Sequence, residues 1–314
     1  VIQTELHRHL DVSLRASTIL HLAQERGLEA QSTRLESFCE KLLLKQPLKD
    51  LSAVLHTFSL FQKILDRPEV LEQVAFEVVE DCWNEGTRKL ELRFSPGFIT
   101  EFNGLSWQEL LDALERGIQK ALLDYPTIRV GLICIASRDL GPESAEKTVE
   151  FYLKNQKRLI GLDLAGNETM YPLETFESTF KKAIQSGANI TIHAGEAAGP
   201  ENVWKAIELL GARRIGHGVR SIQDPLLIEF LKKNQICLEI CPTSNWLTHA
   251  VSSIEAHPLP ALLRAGVPAC INTDDPAVFG VTLPHEVQVC SQRMGLTPEE
   301  IEKTFDHASN FSFL

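Results

Sequence analysis

His7 and His9 stand two residues apart in the run TELHRHLD (4–11). In an extended strand, residues two apart face the same side. Both imidazoles can then converge on one cation. His-x-His alone is a weak signature, but His193 and Asp274 add a third imidazole and a carboxylate. That donor set suits zinc, or iron as a less common occupant. A catalytic zinc keeps a position open for water, and four protein ligands plus water would make it five-coordinate. Glu196 follows His193 by three residues in HAGE, just after Gly195. Shielded from water, its carboxyl would rise in pKa and could hold a proton for donation; the plainer reading is an acid placed at a helix N-terminus. His217 lies between Gly216 and Gly218. Beside a metal-held water it could orient that water or take its proton; otherwise it is a satisfied core histidine. Asp274 and Asp275 precede Pro276. At a strand end they would point to opposite sides, one to a metal and one to a ligand's donors, unless NTDDP is simply a turn. Histidines 21, 56, 249, 257, 285 and 307 lack such context and read as surface or packing residues.

These residues need a frame that gathers distant segments. Eight short, mostly β-branched or apolar runs supply one, at 1–9, 88–95, 128–137, 158–166, 188–195, 213–218, 236–244 and 267–275. Helix-like segments alternate with them, as at 107–125, 145–156 and 224–234. Such alternation predicts a parallel sheet with crossover helices. Eight repeats favour a closed (β/α)8 TIM barrel over an open sheet, and short apolar runs suit strands buried on both faces. The polar residues collect at the strands' C-terminal ends, the face where barrels of this kind carry their sites. They are His7 and His9, Ser95, Asp163 and Gly166, His193 and Glu196, His217, Ser244 and Asn245, and Asp274 and Asp275. Residues 12–87, between the first two strands, hold extra helical patterns. Within 51–65, Leu51, Val54, Leu55, Phe58, Phe61, Ile64 and Leu65 recur at helical spacing. That segment is either a helix packed on the barrel or a lid over its mouth, with Phe58 or Phe61 facing a ligand. No linker or repeat interrupts the chain, so residues 1–314 read as one barrel domain.

Composition narrows the ligand. The formal net charge is −11 and no Lys/Arg run offsets it. Nucleic-acid backbones demand a basic footprint, so a small neutral or weakly charged molecule is the better fit. The hydrophobic fraction of 44% can fill a large core. The seven cysteines (39, 82, 134, 237, 241, 270 and 290) are odd in number and contain no Cys-x-x-Cys pair. They read as reduced thiols of a cytosolic protein, without a thiolate metal site. The sequence shows no secretory signal and no apolar stretch long enough to span a bilayer. It begins at Val1, so a short leader could precede it.

The motifs TELHRHLD (4–11), LRFSP (92–96), DLAGNE (163–168), HAGE (193–196), RIGHG (214–218), CPTSN (241–245) and NTDDP (272–276) occur in this order. In this the chain resembles the adenosine deaminase family of the amidohydrolase superfamily, from the first strand to the last. The resemblance implies one zinc per chain, held by His7, His9, His193 and Asp274. It implies that Glu196 protonates the purine N1, while His217 and Asp274 orient and deprotonate the attacking water. Asp275 would pair with N7, the Gly166 backbone would contact N3, Asp11 would meet the ribose 5′-hydroxyl, and His9 would border the substrate. Asp163 and Ser244 would support the ligands from behind. The implied reaction is hydrolytic deamination of adenosine or deoxyadenosine: protonation at N1 makes C6 electrophilic, hydroxide adds there, and ammonia leaves. Such an enzyme serves purine salvage within nucleotide metabolism. Strand four carries no Lys, so a single metal is expected where many binuclear relatives carry a carboxylated Lys. Asp11 favours a nucleoside, since adenine deaminases of the family typically carry Glu there and N6-methyl-AMP deaminases Asn. Two positions depart from the family pattern: Val12 replaces the usual Gly, and Arg8 stands where a small or apolar residue is usual. Val12 does not adopt positive φ cheaply, so the loop over the ribose end is expected to differ. That keeps open a 5′-modified adenosine (methylthioadenosine, aminodeoxyfutalosine) or adenine as substrate and, more distantly, a purine-binding protein without catalysis.

Overall fold

The computed structural model describes residues 3–314, so Val1 and Ile2 of the first expected strand lie outside the described residues. Eight parallel strands are present: β1 (Gln3–His9), β2 (Thr87–Phe94), β3 (Arg129–Ser137), β4 (Leu159–Ala165), β5 (Thr191–Ala194), β6 (Arg214–His217), β7 (Cys237–Ile240) and β8 (Ala269–Ile271). They pair in chain order as β1-β2-β3-β4 and β5-β6-β7-β8. Two seams close the ring. Leu162 bridges Ile190 between β4 and the approach to β5. At the other seam Arg8 bridges Asp274, with His9 N donating to Asp274 O at 2.9 Å and Asp274 N to His7 O at 3.0 Å. Chain-order parallel pairing with helical crossovers and closure is the (β/α)8 TIM barrel.

Strands seven and eight stop short of the expected ends. Pro242 ends β7 because it lacks an N–H and suits the first turn of a helix; it opens the helix Pro242–Leu247. Ser244 and Asn245 therefore lie on a helix rather than a strand. Beyond Ile271, side chains replace the backbone ladder: Asn272 Oδ1 accepts from Leu6 N at 2.9 Å and His7 N at 3.2 Å, and Glu5 accepts from Thr273 N at 3.0 Å. Asp274 and Asp275 thus follow the strand in a turn, with Asp274 in left-handed backbone at φ 68°. They are not opposite faces of a strand end.

The expected helices form with small shifts, as Trp107–Asp124, Gly141–Lys154 and Pro225–Asn234. The first starts in a capping box between Ser106 and Glu109. It packs so closely on the helix Pro68–Asn84 that a Cβ at Gly117 would lie 2.2 Å from Glu72 O. The expected continuous helix at 51–65 is instead three pieces: Leu51–Leu55, a 3₁₀ turn His56–Phe58, and Ser59–Ile64. At the break the Thr57 hydroxyl donates to Val54 O at 2.7 Å, a side-chain bond that competes with the helical ladder. Among the described residues no helix is long and apolar enough to cross a membrane.

Candidate active site

The strand ends and the segment 51–65 enclose a cavity of about 380 Å³. At its floor four rings and a carboxylate meet. His7 Nε2 lies 3.2 Å and His9 Nε2 3.3 Å from Asp274 Oδ1, and His9 Nε2 lies 3.3 Å from His193 Nε2. His217 Nε2 is 3.6 Å from Glu196 Oε2 and 3.8 Å from Asp274 Oδ2. β1 delivers His7 and His9, β5 His193 and β6 His217. The turn at Asp274 is held by the seam to β1, so the carboxylate and its neighbouring imidazoles are fixed by one set of backbone bonds.

What stands behind each ring sets its tautomer. Glu239 Oε2 lies 2.9 Å from His7 Nδ1, and the Asp163 carboxylate lies 3.1 Å from His193 Nδ1. Each Nδ1–H donates to its carboxylate, leaving the Nε2 lone pair aimed inward. His7 Nε2 is buried without a hydrogen-bond partner. Burial lowers the pKa of both His7 and His193, which keeps them neutral and able to ligate. Burial works against charge on His9 too, but Asp275 and Asp274 raise it to about 9. Convergent lone pairs, an unpaired buried nitrogen and surplus negative charge are the features of a cation site, so the residues present fit a metal ion.

Glu196 lies in the turn after β5. Burial, aided by the charge of Asp274, pushes its pKa up to about 8, and Thr248 Oγ1 donates to its Oε1 at 2.8 Å. At neutral pH this carboxyl holds a proton. Burial and the charge of Asp274 likewise raise Asp275. Asp275 Oδ1 and Asp11 Oδ1 are both buried, unpartnered and on the cavity wall. Gly166 lines the cavity with φ 104°, where a Cβ would lie 2.0 Å from Asp139 Oδ2, so only glycine fits. Ser244 Oγ donates to Asp274 Oδ2 at 2.6 Å.

Of the two candidate lid phenylalanines, Phe58 lines the cavity. Phe61 does not: it is fully buried, packed edge-on behind Phe58. His56 lines the mouth, so it is not merely a surface residue. Val12 sits in a 3₁₀ turn without positive φ and lines the cavity. Arg8 points away from the cavity, with its guanidinium 3.1 Å from Glu85 and 3.4 Å from Glu5. It is buried within the wall and leaves the mouth untouched.

Sequence reasoning missed the support under the floor. Arg93 binds Asp163 at 2.8 Å and Glu239 at 2.7 Å; Arg214 binds Glu239 and Glu91, each at 2.7 Å. The available signal was a charge inside an apolar strand, as in Glu239 of ICLEIC and Glu91 and Arg93 of LELRF. Glu168 was also missed. It accepts from the backbone N–H groups of Gly195, Glu196, Ala197 and Ala198 and from Asn202 Nδ2, which fixes the turn carrying Glu196.

The closed barrel, with imidazoles and carboxylates gathered at its C-terminal mouth, defines a hydrolase barrel of the amidohydrolase class. The family model for adenosine deaminase matches residues 3–314. An adenosine deaminase of Aliivibrio fischeri is 38% identical over 311 residues, covering 99% of this chain and 93% of that one. Among solved structures, the adenine deaminase of Arthrobacter aurescens matches with a TM-score of 0.91 at 25% identity, over 99% of this chain and 94% of that one. The Arabidopsis N6-mAMP deaminase matches with a TM-score of 0.86 at 29% identity, over 100% and 94% of the two chains. The chain belongs to the adenosine deaminase family.

Proposed function

We propose that this chain is a zinc-dependent deaminase that hydrolyses adenosine or deoxyadenosine to the corresponding inosine and ammonia. The observation that carries this reading is the convergence of His7, His9, His193 and Asp274 beside a carboxyl, Glu196, that burial keeps protonated. Those four residues would hold one zinc ion, which supplies Lewis acidity that makes water a nucleophile near neutral pH.

The chain's own groups do the rest. Glu196 donates its proton to the purine N1, which draws electrons from C6 and opens it to attack. Asp274, with His217 beside it, orients the attacking water and receives its proton. Asp275, whose pKa burial and the charge of Asp274 raise, donates to N7 in its protonated form, and the Gly166 N–H would donate to N3. Asp11 Oδ1, buried without a partner, accepts from a ribose hydroxyl. Asp163 and Ser244 hold their neighbours' orientation. Residues 51–65 roof the site, with Phe58 against the ligand, and exclude water from it.

Among the described residues no Lys or Arg lines the cavity, whereas Asp11, Asp139 and Glu101 do. A phosphate would find no counter-charge there, which favours a nucleoside over a nucleotide. The apolar side chains of Leu51, Val54, Leu55 and Phe58 favour, as a second reading, an adenosine with an apolar 5′ substituent. Turnover of a free nucleoside belongs to purine salvage, and seven unpaired cysteines, six of them buried, suit a reducing cytoplasm.

The test is a panel of kcat/KM values for adenosine, deoxyadenosine, methylthioadenosine, adenine and AMP on protein of measured zinc content. Adenosine and deoxyadenosine should lead and AMP should trail. A lead for methylthioadenosine would select the second reading. Absence of ammonia release from every member by zinc-loaded protein would reject both.

A further inference from the structure

Four imidazole nitrogens reach the same small volume, and distance alone does not say which of them bind a cation. His7, His193, His217 and Asp274 place ligand atoms within 4.8 Å of one another. We propose that His257, acting through Asn245, locks His217 in the tautomer with its proton on Nε2, so that His217 presents a hydrogen-bond donor to the reaction centre and is neither a metal ligand nor a proton acceptor. The tautomer follows from the structure alone; its catalytic consequence rests on the deaminase reading above.

The relay starts from a backbone N–H, which can only donate. Leu259 N lies 3.1 Å from His257 Nδ1, so that nitrogen carries the lone pair. His257 is 4% exposed, and burial lowers its pKa to about 3, so it stays neutral. A neutral imidazole has one N–H, here on Nε2. That nitrogen lies 3.2 Å from Asn245 Oδ1. The opposite end of the amide, Nδ2, can only donate, and it lies 3.0 Å from His217 Nδ1. His217 Nδ1 is therefore an acceptor, and its single proton sits on Nε2. A flipped amide would set an NH₂ against an N–H, so the polarity of the relay is fixed from its backbone end.

His217 is thus the mirror of its neighbours. Carboxylates behind His7 and His193 draw the proton outward and aim a lone pair into the site. The amide behind His217 donates and aims a proton into the site. A protonated nitrogen binds no metal, which assigns the third imidazole ligand to His9. Nor can it take a proton from water, so acceptance falls to Asp274. What Nε2–H does supply is a fixed donor facing the gap between Glu196 Oε2 and Asp274 Oδ2, where the attacking oxygen gathers negative charge. The left-handed backbone at His217, φ 61°, aims the ring there. Asn245 and His257 are positioning residues, and His257 is not the mere packing residue its sequence context suggested.

The test reads the tautomer directly. In zinc-loaded, ¹⁵N-histidine-labelled protein, two-bond ¹H–¹⁵N correlations, assigned with a His217→Gln variant, should show a pyrrole-type Nε2 and a pyridine-type Nδ1 for His217. The reverse pattern overturns the proposal. Asn245→Asp replaces the donor by an acceptor and should reverse that pattern above pH 8. It should also lower kcat by roughly a hundredfold or more, since a wrong tautomer disables a catalytic histidine, with KM and zinc content little changed. Unchanged or raised kcat would overturn the donor role. His257→Gln keeps an N–H towards Asn245 and should recover most of the kcat that His257→Leu loses; equal losses would overturn the relay. If His257→Leu fails to fold, the wild-type spectrum and Asn245→Asp still decide. The spectrum needs no substrate, so a wrong tautomer and a wrong substrate assignment fail separately.

Discussion

Two buried polar layers lie a few ångströms apart in this barrel, and they are built on opposite principles. The lower one, Arg93, Arg214, Glu91, Glu239 and Asp163, pairs every carboxylate with a guanidinium and leaves Arg93 Nε without a partner. Burial alone would raise its acids, yet Arg93 and Arg214 hold Glu239 far below the ordinary range, and His193 and Arg93 do the same for Asp163. The upper layer is unfinished. His7 Nε2, Asp11 Oδ1 and Asp275 Oδ1 are buried without partners, and Glu196 rises to about 8. Buried polar groups are normally satisfied, so the orphans mark where ligands belong, and the paired layer keeps them pointed there. The difference teaches that the site's chemistry is directed from beneath by residues that touch no ligand.

Breaking the lower layer should have the largest effect. Glu239→Ala leaves the buried Arg93 and Arg214 with one carboxylate each and removes the partner of His7 Nδ1; it is expected to cost about 3–5 kcal/mol of stability, read from denaturant unfolding, with loss of bound metal. A cost near zero would mean that the layer does not carry the barrel.

In the upper layer Glu196→Gln should fold and keep its metal while kcat falls at least about a hundredfold. Unchanged kcat would remove Glu196 as donor. The wild type supplies a companion measurement. The donating form is the protonated one, so kcat/KM should fall as pH rises through about 8. A profile still rising there would contradict the assignment.

Asp163→Asn joins the layers. It keeps the shape but weakens the hold on the His193 Nδ1 proton, and should lower metal affinity roughly 10–100-fold in competition with a chelator. The smallest effect is expected at the roof. Phe58→Ala should raise KM by roughly tenfold and leave kcat and metal content nearly unchanged, with some loss of stability because Phe58 is buried against Phe61. An unchanged KM would remove Phe58 from the ligand's surroundings.

The eight strands were legible because parallel strands buried on both faces are locally distinctive, and their polar ends marked the site. The ends of β7 and β8 were not. Asn272 completes the ladder to β1 with its side chain, and no local pattern announces a partner 266 residues away. Phe58 and Phe61 share one apolar pattern, and only the break at Thr57 and the packing of the segment turn one to the ligand and the other inward. Glu239 was passed over for a similar reason: its charge sits in an apolar run, and its partner Arg93 lies 146 residues earlier.

By itself the sequence determined which side chains stand at the strand ends, because alternation along a strand and the position of its last residue are local properties. It separated His7 and His193, as ligands, from His217, beside the water, but did not say which ring nitrogen of each carries the proton. Only the tertiary structure, by placing Glu239, Asp163 and Asn245 behind them, decided which rings offer a lone pair and which a proton. A tautomer is set by the group on the far side of the ring, and that group comes from another strand.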